Sequence, residues 1–405
     1  MSKNYANILG HMCYAAYKLW NVCNYERLHY KEIASLTEYP DWYYQKKAHK
    51  DDLWYKQLPS QTAQEVCKRL DKSWKSFYAL VKSGNIENPR PPRFKRDKIA
   101  ITYIQNGFKL SDDTLQLSLS KQLKDYMAET YGIHETYLFL KNKHFKNMKS
   151  VKQVQIYPPK PNGECEVILI YEVDDVPLKE DNQKYLSIDL GLHNLMTCFD
   201  NATAKTFIVG RRYLSLCRKY DKQIARIQSQ WDKCQSSKGV KYPRKSKHVL
   251  SLYKKKQNCI NDTLHKLTHY LVNYCVENDI HTLVIGDIKN IRKDSNFGAK
   301  INQKLHGLPY EKIYELLAYQ CAMAGINFIK QEESYSSQCS PNAEAVTKEN
   351  ACKNNRIRRG CYREGTCIYN ADSVGAYNIL RKYNKKVALT NTSVLSSPQI
   401  LKVAV

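Results

Sequence analysis

Along the first part of the chain the apolar positions recur at steps of three and four. In LPSQTAQEVCKRLDKSWKSFYALVKSG, the residues Ala63, Val66, Leu70, Trp74, Phe77 and Val81 share one side of a helix, with Ser60 placed to cap its start and Gly84 its end. Residues 4 to about 85 therefore read as a small helical bundle. The basic, proline-bounded segment NPRPPRFKRDK interrupts the pattern, and the period then falls to two. Leu115, Leu117 and Leu119 alternate, as do Cys165, Val167, Leu169, Tyr171 and Val173 after the turn PKPNGE, so this stretch is expected to be mostly β.

From residue 184 the order of elements carries information. KYLSIDL, LMTCFD and AKTFIVG read as three short strands joined by tight turns, an antiparallel meander. Two long helices follow, marked by Leu216, Tyr220, Ile224, Ile227 and Trp231 and then by Leu252, Ile260, Leu264, Leu267 and Leu271, with the basic linker SSKGVKYPRKSKH between them. Next come a strand TLVIG, a helix PYEKIYELLAYQCAMAG closed by Gly325, a strand INFIKQEE and a last helix beginning near Asp372 in NADSVGAYNILRKY. From Lys386 onward no periodicity is visible and a flexible tail is expected. Three antiparallel strands, then alternating helix and strand, then a helix is the order of the ribonuclease H architecture.

Composition narrows the function. At 405 residues two or three domains are expected. The 64 Lys and Arg against 39 Asp and Glu leave a net charge of +25, which self-repels unless a polyanion neutralises it, so nucleic acid is the leading partner. The 14 cysteines form no C-x-x-C pair and read as small apolar residues of a reduced compartment. No apolar run reaches the roughly 18 residues of a membrane span, and the N-terminus is not signal-like. A cytoplasmic protein without a membrane partner is expected. The 31 tyrosines suit base stacking and ordinary cores equally.

Against that background Asp189, at the end of an apolar strand, is out of place. A nuclease of this architecture needs carboxylates converging from different elements on two Mg²⁺ ions about 4 Å apart. Asp189 supplies the first and Asp372 another. Taken singly, Asp189 could serve a turn with Gly191 and Asp372 could cap its helix. Together, at opposite ends of one fold, they point to a metal site.

LSIDLGLHNL, NNRIRRGCYREGTCIYNADSVGAYNILRK and PRPPRFKR resemble the TnpB family, the RNA-guided DNA endonucleases of insertion sequences and relatives of compact type V CRISPR effectors. The similarity runs from about residue 58 to 385. It implies a multidomain α+β protein: a helical recognition lobe (1–87), a β-barrel-like wedge domain (88–180) and a RuvC-type, RNase H-like nuclease domain (181–385). It also implies a nucleic-acid-handling insert at about 337–369, before the tail at 386–405. A prokaryotic cytoplasm, a guide RNA with a structured scaffold, a double-stranded DNA target, Mg²⁺ and a monomer go with the resemblance.

The chain departs from the family in three places. It opens in a helix where members usually open with a strand. Many members hold zinc with two C-x-x-C pairs, whereas Cys339, Cys352, Cys361 and Cys367 are spaced by 13, 9 and 6 residues, which argues against zinc. In most members the strand matching TLVIG ends in glutamate, but here Gly286 stands at that position. Asp287 is adjacent, yet side chains alternate along a strand, so a shift of one residue turns a carboxylate to the other face. The next strand ends in Glu332 and Glu333, and in the ribonuclease H sheet it lies two strands, roughly 10 Å, from the Asp189 strand. Glu333, nearer the loop, is the preferred third ligand and Glu332 the second choice; a branch of the family has this pattern. Candidate phosphate contacts are Arg90, Arg93, Lys95, Arg96, Arg211, Arg212, Arg356, Arg358 and Arg359. The expected activity is Mg²⁺-dependent, RNA-guided DNA cleavage beside a short flanking motif. The alternatives are guided binding without cleavage, for which Gly286 argues, a compact effector using a CRISPR RNA, or a strand transferase or resolvase on the same fold.

Overall fold

The computed structural model describes residues 2–34, 36, 38–148, 150–160, 164–288, 307–358 and 360–403. The chain divides into two compact units, Met1–Asp174 and Asp175–Val405.

The first unit begins with helices α1 (Lys3–His29), α2 (Trp42–Ala48), α3 (Leu53–Lys56) and α4 (Ser60–Ser83). The predicted stripe of α4, from Ala63 to Trp74, packs with Leu9, Met12, Ala16 and Leu19 of α1 in one core. Gly84 ends α4 with a φ of 65°, the left-handed turn that glycine tolerates best, whereas Ser60 is the first helical residue behind Pro59 and makes no side-chain cap. The proline-bounded segment runs as an extended strap along α1. Trp20 donates to the Arg93 carbonyl, Asn24 to that of Pro92 and Asn21 to that of Lys95.

The period-two region forms strands β1 (Ile101–Ile104), β2 (Phe108–Ser111), β3 (Thr114–Ser118), β4 (Tyr137–Lys141), β5 (Val151–Ile156) and β6 (Val167–Tyr171). They make two antiparallel three-stranded sheets, β1-β5-β6 and β2-β3-β4. The expected barrel is corrected here: among the described residues no closed barrel forms. A turn at Gln105–Gly107 carries the chain from one sheet to the other, and among the described residues no ladder joins their edges. Between β3 and β4 lies helix α5 (Lys121–Tyr131), absent from the sequence reading although Ser120 and Gly132 cap its ends.

The second unit is built on a six-stranded sheet. Strands β7 (Tyr185–Leu190), β8 (Met196–Asp200) and β9 (Lys205–Val209) form the meander, and helices α6 (Tyr213–Ser236) and α7 (Lys247–Glu277) follow. Then come β10 (Thr282–Asp287), α8 (Tyr310–Met323) and β11 (Asn327–Glu332), hairpin β12 (Cys361–Glu364) and β13 (Cys367–Asn370), α9 (Ala371–Tyr383) and β14 (Gln399–Ile400). The sheet order is β11-β10-β7-β8-β9-β14, with β10 parallel to both β7 and β11.

Strand alternation sorts the two faces. Leu186, Ile188, Leu283 and Ile285 join α7 and α8 in one core, while Val284 and Phe199 join α9 in another. Asp189 and Gly286 are therefore on the α9 face and Asp287 on the opposite one.

Residues 386–403 differ from the loose tail expected of them. Leu395 is fully buried, Thr206 Oγ1 donates to the Val394 carbonyl at 2.7 Å, and β14 pairs parallel with β9. Side-chain anchors and a two-residue edge strand leave no periodic trace. Among the described residues no helix is long and apolar enough to cross a membrane.

Candidate active site

The site starts at the end of β7. Ser187, one pleat before Asp189, donates through Oγ to the Ala376 carbonyl at 2.7 Å and ties α9 across the strand. Helix and strand approach so closely at the next pleat that a Cβ on Gly375 would lie 2.8 Å from Asp189 Oδ2. Glycine inside a helix costs roughly 1 kcal/mol relative to alanine, and here it makes room for a carboxylate.

The parallel register pairs Ile188 with Ile285, so one residue further on Gly286 comes beside Asp189. On the other flank Gly286 pairs with Gln331, and Glu333 follows two residues later on the same face. A Cβ on Gly286 would overlap Glu333 Oε2. Glu333 therefore lies over the space that a side chain at 286 would fill, which is how a residue two strands away comes close to Asp189.

Its neighbour Glu332 is exposed, ion-paired to Lys382 of α9 and bonded from the Ser334 amide at 2.5 Å. Lys382 also donates to the Ser334 carbonyl at 3.1 Å, so it pins both sides of Glu333.

Asp372 stands in the first turn of α9 but is not its cap. Asn370 takes that place, its side chain accepting from the amides of Asp372 and Ser373 at 3.0 and 3.1 Å. The Asp372 carboxylate is left to accept from Asn194 Nδ2 at 2.8 Å.

The electrostatics are those of crowded like charges. Burial, reinforced by Asp372 and Glu333, pushes the Asp189 carboxyl well above its ordinary range, with Arg356 pulling the other way. Burial, then the charges of Glu332 and Asp287, raise Glu333 to about 7, and Lys382 opposes them. Glu333 Oε2 is buried and, among the described residues, accepts no hydrogen bond. An orphaned carboxylate oxygen, clearances at Gly286 and Gly375, and an all-carboxylate donor set fit a hard, oxygen-seeking cation such as Mg²⁺. Among the described residues no group of three or more acidic, histidine or cysteine side chains is placed to hold a metal ion. On the reading proposed below, these carboxylates are divided between two ions.

A cavity of about 460 Å³ opens beside the site, lined by Gly191, His193, Asn194, Arg211, Arg218, Arg356 and Asp372 among others. Arg211 and Arg356 thus line one cavity with Asp372, and Arg356 also acts on the Asp189 carboxyl. Arg212, next in sequence, is exposed and lines separate cavities. Arg358 donates to Cys361 Sγ, and Arg359 lies outside the described residues. Arg90, Arg93, Lys95 and Arg96 are exposed on the strap of the first unit, where Lys95 Nζ stands 4.5 Å over the Trp20 ring.

The four candidate zinc cysteines are dispersed. Cys339 is buried against the Thr347 carbonyl, Cys352 contacts Asn355, and Cys361 and Cys367 lie at opposite ends of the β12–β13 hairpin.

Asn194, Arg218, Gly375 and Lys382 were missed from sequence. Arg218 had a signal, since it follows Ser215 by three positions on one face of α6, the helix that begins two residues after Arg211. Lys382 and Gly375 had none, because their roles arise only when α9 meets the sheet.

Two family models match this unit and the strand that precedes it. The model OrfB_IS605, described as a probable transposase, matches residues 168–292, and the Cas12f1-like TNB domain matches 310–379. No curated protein matches the chain in sequence. A Cas12f1–sgRNA–target DNA complex solved by cryo-EM superposes with a TM-score of 0.56 at 12% identity, over 93% of this chain and 81% of that one. A CRISPR–Cas12f ternary complex gives 0.40 at 13% identity, over 96% and 83%. The mini-RNA-guided endonuclease CRISPR-Cas_phi3 gives 0.35 at 11%, over 71% and 58%. With both signatures in succession along the second unit, and the fold of Cas12f1 over most of its length, the chain resembles the TnpB-type transposases and the Cas12f effectors.

Proposed function

We propose that the chain is an RNA-guided DNA endonuclease that cuts beside a short flanking motif, with Asp189, Glu333 and Asp372 as the ligands of two Mg²⁺ ions. The observation that carries this reading is Glu333 seated over Gly286 on the face of Asp189, with Asp372 brought alongside by α9. Bound there, the cation pair would supply a metal-activated water and a stabilised leaving oxygen. The chain's own part is positional. Arg211, Arg218 and Arg356 line the cavity where a phosphodiester would lie and offer donors to its oxygens. Lys382 keeps the end of β11 in place, so that Glu333 turns inward.

The guide RNA is supported by the +25 charge and by the nucleic acids held in the related complexes. In this reading the first unit is the recognition and wedge lobe, and the exposed arginines of its strap are backbone contacts.

The test is to purify the protein with its co-expressed RNA, sequence that RNA and supply a matching DNA target. Cleavage that needs Mg²⁺ and stops with Asp189→Ala, while target binding persists, is expected. Guided binding without cleavage by the unmutated protein would favour the non-cleaving reading, and purification free of RNA with full activity would overturn the guided one.

A further inference from the structure

We infer that Asn194 is a positioning residue for Asp372, and that the turn at Gly191 is what brings it there; this rests on the metal-site reading above. The chain leaves β7 at Leu190 and reverses into β8 within five residues, 191–195. The turn is closed by the Gly191 amide donating to the Leu195 carbonyl at 3.2 Å. It closes over a glycine because a Cβ at 191 would lie 2.7 Å from the Asn194 carbonyl oxygen, nearer than real Cβ contacts come. In the closed turn Asn194 Nδ2 stands 2.8 Å from Asp372 Oδ2, joining two residues 178 positions apart.

Asp372 needs such a partner. Its own helix makes no use of the carboxylate, since Asn370 is the cap, and a free carboxylate in a first turn samples several rotamers. One amide donor on Oδ2 selects a single arrangement and leaves Oδ1 for a cation. The chemistry of residue 194 is specific in this role. A carboxamide donates without a positive charge that would rival the cation, and without a negative charge that would repel Asp372. Groups that orient a ligand from behind in this way typically change metal affinity or activity by about 10–100-fold when removed.

Two readouts in the RNA-loaded protein test this. One is the Mg²⁺ dependence of cleavage. The other, which needs no nuclease activity, is Fe²⁺ substituted for Mg²⁺ with ascorbate and peroxide, so that hydroxyl radicals cut the polypeptide beside the bound ion. Asn194→Ala should raise the half-saturating Mg²⁺ by about 10-fold or more, lower Fe²⁺-directed scission near Asp372 over the same range, and leave guided target binding unchanged. Gly191→Ala should act in the same direction through the turn. In an Asp372→Asn background, Asn194→Ala should change Fe²⁺-directed scission by less than about two-fold, because its target is already gone. An unshifted metal dependence in Asn194→Ala, or a full further loss in the Asp372→Asn background, overturns the inference. Absence of scission near Asp189 and Asp372 in the unmutated protein would instead remove the metal reading on which it stands.

Discussion

Buried charge is handled in opposite ways in two parts of this molecule. In the helical core of the first unit, Arg27 is wholly enclosed and donates to Asp71 and Gln45, both at 2.9 Å. Burial alone would raise the Asp71 carboxyl, but its bonds from Lys75 and Arg27 outweigh that and hold it below the usual range. His49 repeats the pattern. Burial lowers it, yet Glu26 and Asp52 lift it to about 9. At the end of the central sheet burial and neighbours act together instead, and Asp189 and Glu333 both rise. Burial is common to the two regions, and the sign of the neighbour differs. A buried charge balanced by its counter-charge in the same chain is scaffold; on the proposed reading, the like charges at the sheet end, which Arg356 and Lys382 offset only in part, are those a cation from outside would balance.

The contrast can be broken most severely at the carboxylates. Asp189→Ala, Asp372→Ala and Glu333→Gln should each lower cleavage about 10³-fold, the equivalent of several kcal/mol of transition-state stabilisation, at matched RNA loading. None should lower the melting temperature of the metal-free protein. Loss of folding in all three would make them scaffold after all. Arg27→Met should do the reverse, costing about 3–5 kcal/mol in urea unfolding by leaving Asp71 to Lys75 alone and Gln45 without its donor, with residual activity per folded molecule intact.

Gly286→Ala should cost about 10–100-fold in cleavage by displacing Glu333. The exchange Gly286→Glu with Glu333→Gly should recover part of that loss, and an inactive exchange alongside a fully active Gly286→Ala would refute the steric account.

The pH dependence carries a definite sign. Glu333 is raised in the fold, so its stabilising contribution is complete below the unfolded carboxylate value and is lost as pH rises through about 7. Without divalent ions the melting temperature should therefore fall between pH 5 and pH 8, by the equivalent of about 3 kcal/mol at most. Added Mg²⁺ should stabilise more at pH 8 than at pH 5, and equal stabilisation at both would count against carboxylate ligands. The smallest effects are expected from Glu332→Gln, which loses an exposed pair with Lys382, and Asp287→Asn, on the opposite face of β10. Each should change cleavage by less than about 10-fold.

The central sheet was legible because its signals are local. An apolar run ending in Asp189, a meander, and helices of clear period need no knowledge of distant partners. The approach of Glu333 to Asp189 was also legible, from the vacancy at Gly286 and the alternation of strand faces. What escaped depends on contacts across the chain. The barrel failed on ladders that do not form, and α5 buries only Leu123 and Met127 along its length. Asn370 displaced Asp372 from the cap through a choice between two equally good cap residues, and Asn194 took its meaning from a helix far along the sequence.

The sheet order has a consequence for synthesis. Strand β7 must leave one edge open until β10 arrives about a hundred residues later, roughly 5 to 20 s of translation at ordinary elongation rates. Ser187 waits longer still for Ala376, 189 positions on. A nascent chain on the ribosome thus carries Asp189 without Glu333 or Asp372. On the proposed reading it is harmless to nucleic acid until nearly the whole unit has been made, and only the anchored segment that ends in β14 is still to be added after the metal site is complete.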